Sequence, residues 1–313
     1  MLTSLLFPPL INKGYSQYLV INLYSKSQEY FLNEGITIYG NLTYMGSKVY
    51  DGIVALQIIK PENKTMTIRV VSTGPTDPTK YLVRITQFYP SDSQGNPRTT
   101  PYRKGTFAYL TAYIVNNDVV AYPLYFAVNI YDQFGKPWAI SISTGTIQPG
   151  ENKFAIVGYP IPSDFPTGTA AAYAVALTAE PRNNGLPHCP EAKTTFQVES
   201  SEAKQIVTST YKNGDFRLNI SMPFNANPGI YTVYASSVYY YISAFNQLTY
   251  KIRVPDINND GCVDIYDIII VAVAFGSSEG SPNWNPTADI NGDKTVDIYD
   301  LITVAANFGW EST

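Results

Sequence analysis

The last sixty residues contain one twelve-residue acidic pattern written twice, and this repeat constrains the chain more than any other feature. The first copy, DINNDGCVDIYD, runs from Asp256 to Asp267. The second, DINGDKTVDIYD, runs from Asp289 to Asp300, an offset of 33 residues. Each copy leads into a short apolar stretch ending in Phe-Gly, at Gly276 and at Gly309.

The spacing of the oxygens sets the chemistry. Positions 1, 3, 5, 9 and 12 are Asp256, Asn258, Asp260, Asp264 and Asp267 in the first copy. In the second they are Asp289, Asn291, Asp293, Asp297 and Asp300. A hard cation such as calcium takes about six to eight oxygen ligands, which a tight loop supplies from alternate residues. Position 7 contributes its backbone carbonyl, which places Cys262 and Thr295 in the ligand sets through their main chain. Position 6 needs a sharp turn; Gly261 fits it, and Lys294 stands there in the second copy. Position 8 is apolar in both copies, Val263 and Val296, as expected of residues joining two loops back to back.

Position 12 is Asp in both copies, and no helix pattern precedes either loop. Each unit is therefore loop then helix, with no entering helix. This arrangement resembles the type I dockerin family over roughly residues 254–310. The resemblance implies a small α-helical module that folds on calcium, with two ions, and plugs into a cohesin module of a scaffold or surface protein. The family's partner-selecting positions are the tenth and eleventh of each loop, here Ile265-Tyr266 and Ile298-Tyr299. The pairs are identical, so the two halves would present the same surface after a half-turn. The family often carries a hydroxyl pair there, and Ile-Tyr departs from it.

The rest of the chain is long enough for two more domains at about 100–150 residues each. Charged residues are 15% and aromatics 14%, with 26 tyrosines, a β-rich composition. A net charge of −4 without any basic run argues against a nucleic-acid partner. No apolar stretch reaches the roughly 18 residues that span a membrane. Residues 1–17 begin MLTSLLFPPLI, which is apolar but short and lacks a positive leader; it reads as at most the remnant of a signal peptide. Calcium loops and three Asn-x-Ser/Thr sequons, at Asn41, Asn63 and Asn219, point to a secreted or surface location.

From Tyr18 to Val254 the chain shows short period-two runs between turns, such as YLVINLY (18–24), ITIYGNL (36–42) and FRLNIS (216–221). The expected fold class is mainly β: two immunoglobulin-like β-sandwiches plus the helical calcium module. An internal echo refines this. Pro162 to Gly168 and Pro223 to Gly229 both join a strand to a strand carrying Tyr and Val, with the same spacing. Neither 18–76 nor 201–254 holds enough strands for a sandwich, but together they do. The expected division is thus a discontinuous sandwich, 18–76 with 201–254, carrying an inserted sandwich, 77–200, and then the module 255–313. The rival is a row of separate beads. The inserted stretch weakly resembles the CARDB group of surface-protein domains.

No catalytic pattern stands out. A glycoside hydrolase needs two positioned carboxylates, and the acids outside the repeat (Asp92, Asp118, Asp132, Glu151, Asp164, Asp215) sit in turns. The single histidine, His188, has no serine-triad or metal-site partner pattern. Cys189 and Cys262 allow either one disulfide, tying the module to an upstream loop, or two free thiols. Tyr239-Tyr240-Tyr241 offers rings for stacking on sugar, against the alternative of half-buried packing. The reading is a non-catalytic extracellular protein, attached by its calcium module to a cohesin-type or other surface partner. The alternative is a carbohydrate-binding accessory of a polysaccharide-degrading complex.

Overall fold

A computed structural model describes residues 18–32, 34–200, 202, 206–222 and 226–312. Residues 1–17 and Pro223, on which two expectations fell, lie outside them. The protein is mainly β, with two short helices near its C-terminus.

Strands from both ends of the body share two sheets. The first contains β1 (Leu19–Ser25), β3 (Gly35–Tyr44), β15 (Asp215–Ser221) and β14 (Ser209–Lys212) in that order, with β4 (Ser47–Lys48) on β3. The second runs β2 (Glu29–Phe31), β17 (Ile242–Arg253), β16 (Gly229–Tyr239), β5 (Ile53–Ile59), β6 (Thr65–Ser72). The long-range pairings β3–β15 and β5–β16 are antiparallel, with Ile38 opposite Leu218 and Leu56 opposite Ala235, and β2 pairs with β17 in parallel. The middle of the chain pairs only within itself. One sheet is β10 (Pro137–Ile147), β9 (Tyr122–Tyr131), β12 (Gly168–Leu177), β13 (Ala192–Val198). The other is β11 (Asn152–Pro160), β8 (Phe107–Asn116), β7 (Val83–Ser91).

Alternation explains the first sheet. Leu19, Ile21 and Leu23 of β1, Ile36, Ile38 and Leu42 of β3, and Phe216, Leu218 and Ile220 of β15 all point inward to one core. Between them stand outward polar and tyrosine residues, as expected of a sheet wet on one face. β5, β9 and β12 are different, because they are buried along almost their whole length. Their far faces meet: Ile53, Ala55, Ile68 and Val70 pack on Tyr125, Ala127, Val175 and Leu177. Runs such as IVALQII and AAYAVAL therefore lack alternation. Several polar groups at this junction are paired. The amide oxygen of Asn129 accepts from the Thr67 hydroxyl at 3.1 Å and the Ile68 N–H at 2.8 Å. Arg69 is fully buried and donates to both oxygens of Glu191, at 2.9 and 2.5 Å, and to the Thr208 hydroxyl at 2.6 Å.

The echo is structural. Gly168 and Gly229 open β12 and β16 with φ of +133° and +134°, a region only glycine enters freely. An added Cβ would lie 2.4 Å from Gln133 Oε1 in one and 2.9 Å from Pro61 Cγ in the other.

Both cysteines are free. Cys189 is buried among the apolar residues of the middle sheets, and burial pushes its thiol up to about 12. Of the sequons, Asn41 and Asn219 lie on outward positions of β3 and β15, and Asn63 occupies the β5–β6 turn at φ +60°. No helix among the described residues is long and apolar enough to cross a membrane.

Candidate metal centre

Each acidic repeat forms a tight loop closed by its own carboxylates. In the first, Asp256 accepts the N–H groups of Asp260 at 3.2 Å and Gly261 at 2.9 Å. Asn258 Oδ1 accepts the same Asp260 N–H at 3.0 Å, and Asp260 accepts the Cys262 N–H at 3.0 Å. In the second, Asp289 accepts from Gly292, Asp293 and Lys294 at 2.9–3.1 Å. Asn291 and Asp293 repeat the pattern at 2.8 and 2.9 Å. The Asn side chains donate across each loop, Asn258 to Asp260 at 2.7 Å and Asn291 to Asp293 at 3.0 Å. The Thr295 hydroxyl and N–H hold the Asp293 carboxyl below the usual range.

The helices begin where the loops end. α1 (Ile265–Ala274) is capped by Asp264 and α2 (Ile298–Ala306) by Asp297, each in a complete capping box with position 12. Asp264 accepts the Tyr266 N–H and Asp297 the Tyr299 N–H, both at 2.8 Å. Position 12 reaches back across the loop. Asp267 accepts from Ile257, Asn258 and Asp264 at 2.7–3.2 Å, and Asp300 from Ile290, Asn291 and Asp297 at 2.8–3.2 Å.

Lys294 keeps the turn that glycine makes in the first copy. Its φ is +73°, against +91° for Gly261. Its ammonium turns away from the loop to Glu279 at 2.7 Å. The backbones of Val263 and Val296 do not bond to each other, although both side chains enter one apolar core. The Val263 N–H and C=O bond to Trp310 and Gly309, each at 2.8 Å, beyond α2. Those of Val296 bond to Ser277 and Gly276, at 2.9 and 2.8 Å, beyond α1. Each loop is thus stitched to the tail of the opposite helix, and both valines are fully buried. The sequence gives no local sign of this exchange.

The electrostatics leave a deficit of positive charge. Residues 254–313 hold ten carboxylate side chains and one lysine, while the preceding 253 residues hold fifteen acids and twenty bases. Asp267 and Asp300 are fully buried, and no ion pair among the described residues involves either. A buried carboxylate without a cation is costly, and a divalent ion between the loop oxygens fits that deficit. Among the described residues, however, no three His, Cys, Asp or Glu side chains form a metal-holding group by themselves. A complete shell in either loop needs the Asn oxygen and the position 7 carbonyl as well. Partial desolvation and the nearby Asp260 and Glu311 push the Cys262 thiol up.

The four residues expected at a partner surface are at the helix starts and exposed: Ile265 52%, Tyr266 62%, Ile298 48%, Tyr299 65%. Ile269 and Ile302, one turn later, are exposed with them. Four of the six acids considered for catalysis make local structural contacts. Asp92 and Asp132 close turns, Asp118 holds the Tyr122 hydroxyl, and Asp215 pairs with Lys48. His188 Nε2 donates to the Pro123 carbonyl oxygen at 2.8 Å, with its ring against the edge of Tyr122. Tyr239 packs on Tyr44, while Tyr240 and Tyr241 form an exposed turn at φ +46° and +63°.

No curated protein matches the chain. Among solved structures, a Paenibacillus cycloisomaltooligosaccharide glucanotransferase is similar over 37% of this chain and 14% of its own, at 16% identity and a TM-score of 0.29. The C-terminal domain of wzt is similar over 39% and 76%, at 9% identity and 0.32. A CARDB domain from Pyrococcus furiosus, in complex with di-metal ions, is similar over 37% and 91%, at 13% identity and 0.26. The family comparison falls on the repeat itself: residues 254–308 match the dockerin type I domain.

Proposed function

We propose that residues 254–310 bind two calcium ions, one in each loop, and in that state attach the chain to a cohesin-type or other surface partner outside the cell. Dockerin domains bind calcium and pair with cohesins. The first ion would be held by Asp256, Asn258, Asp260, Asp264, Asp267 and the Cys262 carbonyl. The second would be held by Asp289, Asn291, Asp293, Asp297, Asp300 and the Thr295 carbonyl. Calcium supplies the positive charge that the loops lack and fixes the two helix starts. The observation that carries the reading is the pairing of each acidic loop with an exposed Ile-Tyr step at the start of its helix. An exposed apolar patch of this kind marks an interaction surface.

The β-sandwiches form a non-catalytic spacer or adhesive body, divided as 18–76 with 201–254, and 77–200 inserted. The pairing of β3 with β15 and of β5 with β16 supports that division. Limited proteolysis near 77 and 200 tests it: a freely released 18–76 fragment contradicts it.

Calorimetric titration of calcium into the metal-free chain is expected to give two ions per chain; fewer contradicts the two-loop reading. Against a panel of cohesin modules in calcium, the Tyr266→Ala/Tyr299→Ala variant is expected to bind at least about tenfold more weakly, the loss of one good contact. Either single substitution leaves one Ile-Tyr step and is expected to bind nearly as the parent.

A further inference from the structure

The outward face of the first sheet is built unlike an ordinary solvated face. In register across the sheet, Tyr24 stands opposite Tyr39, Tyr39 opposite Arg217, and Arg217 opposite Thr210. The neighbouring row is Asn22, Asn41, Asp215, Lys212. Each row crosses four strands, about 14 Å at roughly 4.8 Å per strand. Tyr24 and Tyr39 are 50% and 39% exposed, their ring centres 5.6 Å apart and their planes inclined by 31°. They border a cleft of about 600 Å³ that Asn41, Lys212 and Arg217 also line.

β-propensity accounts for one outward tyrosine, but not for its neighbours. Asn22 Nδ2 donates to Asn41 Oδ1 at 2.8 Å. That leaves an amide oxygen and an amide nitrogen, side by side, to take hydroxyl groups. Asp215 is neutralised by Lys48 at 2.7 Å, whereas Lys212 and Arg217 have no ion pair among the described residues. Two ring faces, two amides and two uncompensated cations on a shallow surface match a ligand with flat faces, hydroxyls and negative charge. A protein partner is anchored mainly by desolvated aromatic or apolar groups in a pocket, whereas here Asn41, Lys48, Lys212, Asp215 and Arg217 line the cleft around the two rings.

We propose that the outward face of β1, β3, β15 and β14 binds an acidic polysaccharide. Sugar rings lie on Tyr24 and Tyr39, and carboxylate or sulfate groups face Arg217 and Lys212. The proposal is independent of calcium-dependent attachment, because it uses no residue of the repeat.

The test is affinity electrophoresis of the full chain in gels containing polygalacturonate, dextran sulfate, neutral dextran or single-stranded oligonucleotide, with and without chelator. Expected is retardation by an acidic polysaccharide, unchanged by chelator and absent with neutral dextran. Tyr39→Ala and Arg217→Gln should each weaken it at least about tenfold, as loss of a stacking or charged contact does. Tyr39→Phe, which keeps the ring, should hold it. The Arg217 effect should shrink as salt rises. All three substitutions are at outward positions, and an unchanged unfolding midpoint verifies that the fold is kept. No retardation by either acidic polymer, equal retardation by neutral dextran, preference for the oligonucleotide, or binding unaltered in both weakening variants overturns the proposal.

Discussion

At the scale of single residues, the sixth position of each loop shows how much conformational strain the repeat tolerates. Gly261 and Lys294 occupy the same left-handed turn, at φ +91° and +73°. For a residue with a Cβ that region costs roughly 1–2 kcal/mol. The exposed ion pair of Lys294 with Glu279 returns at most about 1 kcal/mol. The balance favours glycine, so Lys294→Gly is expected to stabilise the module by about 1 kcal/mol. The reverse change, Gly261→Lys, brings a Cβ to 2.8 Å from Ser312 Oγ and is expected to cost about 1–2 kcal/mol. Thermal unfolding of both variants in calcium checks this. A lower midpoint for Lys294→Gly would mean that the ammonium contributes something beyond its salt bridge.

At the scale of elements, β6 is fixed to the middle sheets by a buried charge. Arg69 lies between the rings of Tyr131 and Tyr173, 5.2 and 3.4 Å from their centres, and is bidentate on Glu191. Glu191 also accepts the Val70 N–H at 2.9 Å. Removing one partner of such a pair leaves a bare charge, so Glu191→Ala is expected to lose about 3–5 kcal/mol. Arg69→Met with Glu191→Leu removes both charges and should lose much less; denaturant unfolding of the two variants compares them. Nothing near Arg69 in the sequence announces this pair, because its partner is 122 residues away. The strands themselves were far more legible. β1, β3 and β15 show clean alternation because one face is wet. β10 shows no such period, because its segment SISTGT is exposed on both faces and, Ile142 apart, without large apolar residues, a pattern shared with loops. β2 and β14 are too short for any period to show. The oxygen positions of the loops follow from spacing alone, since local turns set them. The exchange of Val263 and Val296 to opposite helix tails is a tertiary choice, which no local spacing encodes.

At the scale of the whole molecule, the charge distribution separates two behaviours. Net charge is concentrated in the C-terminal module, where two fully buried carboxylates and eight further acids face a single lysine. The body carries a slight positive excess and is held by apolar cores and by a sheet-on-sheet junction. Removing calcium should therefore unfold the loops and both helices while leaving the sheets intact. Each proposed ion site would raise the module's stability by about 2.7 kcal/mol with free calcium a hundredfold above its dissociation constant, and chelation would take that away. Circular dichroism with added chelator is expected to lose the helical signal of α1 and α2 and keep the β signal. Amide exchange should accelerate across 256–310 and stay slow across 83–198. Because the cause is repulsion, high salt should restore part of the helical signal without calcium, since screening shortens the reach of charge to a few ångströms. The module's apolar interior, from Val263 to Trp310, is continuous with the core of the first two sheets, so a small rise in exchange along those sheets belongs to the same event. Loss of the β signal together with the helices would mean that the body depends on the metal too. Helices that persist in chelator would mean that the capping boxes and buried valines suffice without it.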